Sequence, residues 1–148
     1  MRTLLLVCGL LTCASAFAQT PTPAPSPATA PSLRVRLMDV GGALSNEGFK
    51  MRDRVWNGKL EPGAPQRLAV NLFRGNHYWF CAAADPEVKG LKVSVFGPDG
   101  APVAGAVEHG EAGLAAAGVT AATTGRYFVE VETAGGPASD FGLLYLFK

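Results

Sequence analysis

Histidine, cysteine and paired glutamates are the side chains of this sequence whose types could support catalysis or metal binding. His109 lies in the segment Glu108-His109-Gly110-Glu111, where an imidazole stands close to carboxylates. A structural zinc site needs four nitrogen, sulfur or oxygen ligands, and a hydrolytic site needs three with one position open. Gly110 favours a flexible loop, so we interpret the segment as a solvated turn. The alternative is an enzyme whose loop site combines His109 with Glu111 or Asp85.

The other reactive side chains fit structural roles. Cys81 stands in the run Trp79-Phe80-Cys81-Ala82 without a Cys-x-x-Cys partner, which favours a buried, inert thiol. Glu130 and Glu132 share one strand face about 7 Å apart, whereas the two carboxylates of a glycosidase flank a cleft. The sequence also has no Gly-x-Ser-x-Gly nucleophile elbow. We therefore predict no catalytic residues, no cofactor and no metal site.

Composition is typical of a single globular domain. The chain has 148 residues, of which 48% are hydrophobic and 17% charged, so it can bury one core. Lysine and arginine number 13 and aspartate and glutamate 12, which gives a formal net charge of +1. A balance so close to neutrality offers no electrostatic basis for binding nucleic acid.

The first 18 residues have the pattern of an export signal. A positively charged start precedes an apolar run over 3–11, and Ala16-Phe17-Ala18 fits the small-x-small cleavage motif. Cleavage there predicts a periplasmic or extracellular protein that contacts the membrane only through its signal peptide. Cys8 and Cys13 leave with the signal, so the mature chain keeps a single thiol and cannot form an internal disulfide.

Residues 19–32 form a linker rich in proline, alanine and threonine. Alternating prolines from Pro21 to Pro27 fix φ and favour extended polyproline II. At about 3.1 Å per residue the linker can reach about 40 Å. It is either a spacer that holds the domain away from a surface or a disordered terminus without a role.

The folded part begins with one short helix, predicted over residues 33–46. Leu33, Leu37, Val40 and Leu44 recur at helical spacing. Ser32 can serve as the N-cap, and Asn46 or Gly48 can end the helix.

From Val55 onward the apolar period changes to two and turn residues become frequent, which predicts about eight short strands. Such a pattern favours an antiparallel, jelly-roll-like β-sandwich. The predicted strands cover 55–60, 66–72, 77–83, 91–95, 102–106, 114–122, 127–131 and 141–147.

Several short motifs in this order resemble the bacterial pre-peptidase C-terminal domain. They are Val55–Gly63, the alternating strand Leu68–Leu72, Gly75-Asn76-His77-Tyr78, the strand and turn Leu91–Gly100, and Thr124-Gly125-Arg126-Tyr127. Members of that family are secreted β-sandwiches, often appended to extracellular peptidases. The resemblance covers residues 55–148 and implies a jelly-roll-like sandwich in an exported protein.

One departure from the family pattern bears on metal binding. Family members often carry an Asp-Leu-Asp-Leu strand, and some use nearby acidic groups for calcium. The matching positions here read Gly90-Leu91-Lys92-Val93, so a glycine and a lysine replace the two carboxylates. Calcium needs several oxygen ligands with enough negative charge, and we expect none to bind.

These observations favour an exported, non-catalytic binding or interaction module. Its partner would be an envelope protein, a peptide or a polysaccharide. Two alternatives remain open: an accessory or inhibitor that acts in trans on an extracellular peptidase, and an enzyme with a non-standard loop site.

Strand alternation predicts which aromatic side chains point away from the core. If Tyr78 and Phe80 point inward, Trp79 and Cys81 point outward, and Phe128 points outward by the same rule. We expect one apolar outer face that carries Trp79, Cys81 and Phe128, covered by the helix packed near Trp79. The rival interpretation leaves Trp79 and Phe128 free as a ligand-docking patch.

Overall fold

The computed structural model describes residues 32–52, 54–104 and 106–148. The predicted signal peptide and all of the linker except Ser32 lie outside this part of the chain. The described residues form one helix, α1 (Leu33–Asn46), followed by strands. The strands are β1 (Lys50–Met51), β2 (Trp56–Leu60), β3 (Gln66–Leu72), β4 (His77–Ala84), β5 (Lys92–Phe96), β6 (Val107–Glu111), β7 (Leu114–Thr120), β8 (Gly125–Glu132) and β9 (Ser139–Phe147).

The strands form two antiparallel sheets. The larger sheet has the order β1-β9-β4-β7-β6, and β2 also pairs with β9. The smaller sheet has the order β3-β8-β5. The predicted fold class, a mostly β antiparallel sandwich preceded by one short helix, is therefore confirmed.

The main core lies between the sheets and follows the predicted alternation. On β4 the side chains of Tyr78, Phe80 and Ala82 point into this core. On β8 the inward side chains are Tyr127 and Val129, and both are buried. Because alternate residues of a strand face opposite sides, the residues between them form the outer faces of the sandwich.

The helix begins and ends where its capping residues predict. The Ser32 side chain accepts a hydrogen bond from the backbone N–H of Val35 at 3.4 Å. The helix ends at Asn46, and Gly48 then turns the chain with a φ of +90°, a conformation that glycine adopts without steric cost. Leu37, at the centre of the apolar stripe, is 0% exposed.

The segment between β5 and β7 differs from the prediction. The expected edge strand over 102–106 is wrong: Pro102 forms only an isolated bridge with Phe96. The strand instead covers Val107–Glu111, where a solvated loop was expected. Gly110 lies within this strand despite its low strand propensity, because it pairs in register with Ala115 of β7. The turn that follows is tight, and Gly113 enters it with a φ of +68°.

Candidate functional site

The outer face of the larger sheet carries small and apolar side chains in register across its strands. Cys81 of β4 pairs with Leu144 of β9 on one side and with Ala116 of β7 on the other. Paired residues of antiparallel strands share a face, so one row of outward side chains crosses three strands. The helix packs on the part of this row that β9 and β4 provide.

The helix covers β9 and β4 and forms a second hydrophobic core. As predicted, Leu37 is buried against the outward side chains of these strands, and Trp79 packs at the edge of the cluster. The buried members of this core are Leu37, Phe49, Cys81, Ala83, Leu144 and Leu146.

Beyond the helix, the outer face of β7 is only partly covered by the described residues. Its outward residues Leu114, Ala116 and Gly118 are only half-buried, with the helix on one side and the edge strand β6 on the other. We call this strip, together with Trp79, the β7 groove. Two hollows lie along it. The first has a volume of about 470 Å³ and is lined by Val40, Cys81, Ala82, Gly110, Glu111, Leu114, Ala115 and Ala116.

The second hollow lies at the other end of the groove and is more polar. Its volume is about 420 Å³, and its lining includes Trp79, Gly118 and Thr120 together with His77 and Lys148. The ring nitrogen Nδ1 of His77 lies 2.7 Å from Oγ1 of Thr120. The groove is therefore apolar along its middle and polar at this end.

Trp79 lines the second hollow, and Gly118 of β7 lies directly opposite it in the sheet. A Cβ atom added to Gly118 would lie 2.8 Å from indole atoms Cη2 and Cζ2, closer than carbon atoms normally approach. The missing side chain thus lets the indole lie flat against β7. Any larger residue at this position has to displace the ring.

Hydrogen bonds fix the position of the helix relative to the groove at both ends. Arg36 donates from Nη1 to the carbonyl oxygen of Ala84 at 2.6 Å and from Nη2 to that of Ala112 at 2.8 Å. At the other end, Nζ of Lys148 donates to the carbonyl oxygen of Glu47 at 3.3 Å. The wall that the helix provides is therefore anchored to the sheet it covers.

The thiol beside the groove is buried, as predicted. Cys81 is 2% exposed, and burial raises its pKa to about 12. Burial therefore opposes formation of the thiolate, which is the nucleophilic form of cysteine.

Phe128 lies away from the groove, in the other sheet. Trp79 belongs to β4 of the larger sheet and Phe128 to β8 of the smaller one, so the expectation that they share an outer face is wrong. Phe128 pairs in register with Phe96 and Ala69. Alternation predicted correctly that both side chains point outward, but it does not tell which sheet a strand joins.

The remaining sequence candidates are dispersed. His109 lies in β6 opposite Ala116, and its side chain falls outside what the structure describes. Glu130 and Glu132 each form an ion pair, with Arg67 at 2.7 Å and Lys92 at 3.7 Å. Within the described residues, no three histidine, cysteine or acidic side chains come together as metal ligands.

Sequence reasoning missed Ala116 and Gly118, the residues that make the groove. The sequence predicted only a weak strand over 114–122, because alanine and glycine have low strand propensity. The sequence feature that could have indicated the groove is the small residue at every second position of this strand. Small outward side chains leave space beside a helix that packs on the neighbouring strands.

Comparison of the sequence with protein-family models and with curated proteins found no match. Within residues 32–52, 54–104 and 106–148, no helix has the length and hydropathy needed to cross a membrane.

Proposed function

We propose that this protein is an exported, non-catalytic binding module that holds an extended apolar peptide in the β7 groove. The observation that carries the proposal is the strip of partly exposed residues Leu114, Ala116, Gly118 and Trp79 beside the helix. From 114 to 120 the strip is about 20 Å long at strand spacing. That length accommodates about six or seven residues of extended chain.

The chemistry of the groove favours a peptide over a polysaccharide. Along its middle the floor consists of alanine, glycine and leucine, which offer no side-chain hydrogen bonds to sugar hydroxyls; the polar side chains of Glu111, His77 and Thr120 stand toward its two ends. Burying a hydroxyl without a partner costs about 1–3 kcal/mol, so a sugar would bind there at a loss. Small apolar side chains of a peptide have no hydrogen bonds to water to give up when they enter the groove. The indole of Trp79 gives them an apolar contact surface.

Two features of the sequence support export and a role without catalysis. Residues 1–18 have the pattern of a secretory signal. The motifs over 55–148 resemble the pre-peptidase C-terminal domain, a secreted sandwich that accompanies other activities. A groove for extended chains is what a module that docks onto a peptide or an unfolded protein segment needs.

The test is a binding screen of the mature chain against fluorescein-labelled decapeptides, followed by two matched substitutions. Ala116→Arg places a long charged side chain in the groove, and Ala69→Arg places the same side chain on the exposed outer face of β3. We expect peptides rich in small apolar residues to bind, and Ala116→Arg to weaken them at least tenfold. Ala69→Arg should leave the affinity unchanged.

Circular dichroism of both variants verifies that they remain folded. Equal affinities for the two variants would overturn the assignment of the groove. Failure of any decapeptide to bind the mature chain would overturn the proposed function itself.

A further inference from the structure

We infer that the β7 groove binds the C-terminal end of a peptide and holds its free α-carboxylate at a row formed by Thr120, His77 and Lys148. This inference rests on the proposed function, because it names which peptides the groove accepts and in which direction they lie. The site it adds is the polar end of the groove, which the apolar contacts described above do not use.

A polar row crosses the outer face of the larger sheet at this end of the groove. His77 pairs in register with Thr120 of β7, and it exchanges both main-chain hydrogen bonds with Lys148, at 2.8 and 3.0 Å. Paired residues of antiparallel strands share a face, and every second residue of a strand returns to that face. The row therefore lies beside Trp79 and Gly118 on the same face, about 7 Å further along the strands.

The ammonium group of Lys148 has hydrogen-bond donors to give to a ligand. It carries three N–H donors, and one goes to the main-chain oxygen of Glu47 at 3.3 Å. Nζ also lies 4.5 Å from the centre of the Phe49 ring. The carboxylate of Glu47 lines the same hollow, yet Lys148 forms no salt bridge with any residue that the structure describes. The positive charge is thus held beside the groove by a carbonyl oxygen and a ring face.

The imidazole of His77 is held next to this ammonium group. Oγ1 of Thr120 lies 2.7 Å from Nδ1 of the ring. When the hydroxyl donates to Nδ1, the ring proton is on Nε2, and this N–H is a donor for a carboxylate oxygen. The Cα atoms of His77 and Lys148 are about 5.5 Å apart, as in any hydrogen-bonded antiparallel pair. Their side chains can therefore contact the two oxygens of one carboxylate, and such charge-assisted bonds are stronger than neutral ones.

The position of the row favours a chain terminus over an acidic side chain. β4 begins at His77 and β7 ends at Thr120, so the floor of the groove ends at this row. A peptide that stops here keeps all of its residues on the floor, whereas a peptide with an internal acidic residue at the row continues beyond it. At the opposite end Glu111 lines the first hollow, and its charge repels a carboxylate. The bound peptide therefore runs parallel to β7, with its last side chain beside Trp79.

The experiment uses the tightest decapeptide of the screen, labelled at its N-terminus and synthesised in three forms. The first has a free C-terminal carboxylate, the second a C-terminal amide, and the third is an amide whose last residue is glutamate. Fluorescence anisotropy measures their affinities for the mature chain at about 0.15 M salt. We expect the free acid to bind tighter than either amide by about fivefold or more, as charge-assisted hydrogen bonds at a partly exposed site allow.

Two matched substitutions connect this preference to the row. Lys148→Met removes the ammonium group and keeps an unbranched apolar side chain beside Phe49. Lys50→Met makes the same change of charge on the opposite face of the sheet, because Lys50 pairs with Phe147, whose side chain packs against the main core. We expect the ratio of acid to amide affinity to fall to about twofold or less in Lys148→Met and to stay as in the unchanged chain in Lys50→Met.

Each result decides a different part of the inference. Equal affinities for acid and amide on the unchanged chain would refute the carboxylate site and leave the proposed function standing. A glutamate amide that binds as tightly as the acid would refute the preference for a chain terminus. An unchanged ratio in a folded Lys148→Met variant would show that the row does not hold the carboxylate. Absence of binding in all three forms would remove the proposed function and this inference together.

Discussion

The outer faces of the two sheets differ in how their side chains are accommodated next to water. The outer face of the larger sheet is apolar, and the helix packs on it to form a second core around Leu37 and Cys81. The outer face of the smaller sheet has no helix over it in the described chain. There Arg67 pairs with Glu130, and Lys92 with Glu132, across neighbouring strands.

This difference explains why one sheet needs the helix as a cover and identifies the strand that the helix does not cover. A face that satisfies its charges with cross-strand pairs is stable in water, whereas an apolar face needs cover. The helix covers β9 and β4 but leaves β7 open. The partly covered strip is therefore a place where the larger face still gains from a contact, whereas the smaller face sets Phe96 and Phe128 beside its ion pairs.

The largest expected effect comes from weakening the contact between the helix and the larger sheet. Leu37→Ala should lower the free energy of unfolding by about 2–5 kcal/mol, because it removes a fully buried side chain and leaves a cavity. Val35→Ala on the same helix is the control: Val35 is 49% exposed, and a surface change of this kind costs about 0.5 kcal/mol or less.

Urea denaturation of both variants measures the effect. A loss below about 1 kcal/mol for Leu37→Ala would mean that the helix packs loosely and is not a structural cover. The rate of Cys81 labelling should rise in parallel with the loss, since opening of the helix exposes the thiol.

The next test concerns the glycine beneath Trp79. Gly118→Ala should destabilise the protein by about 1–3 kcal/mol through overpacking against the indole. Gly110→Ala on the adjacent strand is the matched control, because its added Cβ meets nothing closer than 3.6 Å. Alanine costs less chain entropy than glycine, so the control should be neutral or slightly stabilising.

Thermal denaturation measures the stability of the two variants, and near-UV circular dichroism reports the environment of the Trp79 indole. Equal melting temperatures for the two variants would show that the indole of Trp79 adjusts to the added methyl group without cost and would contradict tight packing against Gly118.

The pH dependence of stability tests the second core independently. Burial raises the pKa of Cys81 to about 12, while in the unfolded chain the thiol ionises near pH 8.5. The unfolded state therefore releases a proton first as the pH rises, and its stabilisation lowers the free energy of unfolding. Between pH 8 and pH 10 this contributes a loss of about 1–2 kcal/mol.

The variant Cys81→Ala removes this contribution, so its stability should fall less steeply over the same range. Lysine and tyrosine titrate in both proteins and cancel in the comparison. Parallel profiles would place the thiol in contact with water and contradict the helix as its cover.

Much of this architecture could be predicted from the sequence. The stripe of Leu33, Leu37 and Leu44 predicted the helix, and the alternation of β4 predicted that Trp79 and Cys81 would lie beneath it. These features depend on contacts between near neighbours and on one periodicity.

What could not be predicted depends on long-range pairing. Alternation gives the direction of Phe128 but not its sheet, because sheet membership is decided by partners far along the chain. The strand at Val107–Glu111 was missed because Gly110 lowers local propensity, and pairing with β7 overrides it. The groove was missed for a related reason: Ala116 and Gly118 matter only once a helix stands beside them.

The smallest expected changes in stability come from the two ion pairs of the smaller sheet, and we expect the two pairs to contribute by different amounts. Arg67 donates from Nε and Nη2 to Oε2 of Glu130 at 3.0 and 2.7 Å, and its guanidinium lies 4.8 Å from the centre of the Phe96 ring. Lys92 reaches Glu132 at 3.7 Å, with both side chains largely exposed. Arg67→Ala should cost about 1 kcal/mol, and Lys92→Ala about 0.3 kcal/mol or less.

Salt provides the decisive comparison between these two variants. The contribution of Lys92 is a screened Coulomb term, so it should vanish at 1 M salt, where charges interact over about 3 Å. Part of the Arg67 contribution comes from stacking on Phe96 and should persist, leaving a difference between the variants. If both losses vanish at high salt, this face is held by charge alone. Its aromatic side chains would then be available for contact, and the contrast with the helix-covered face would be weaker than the structure indicates.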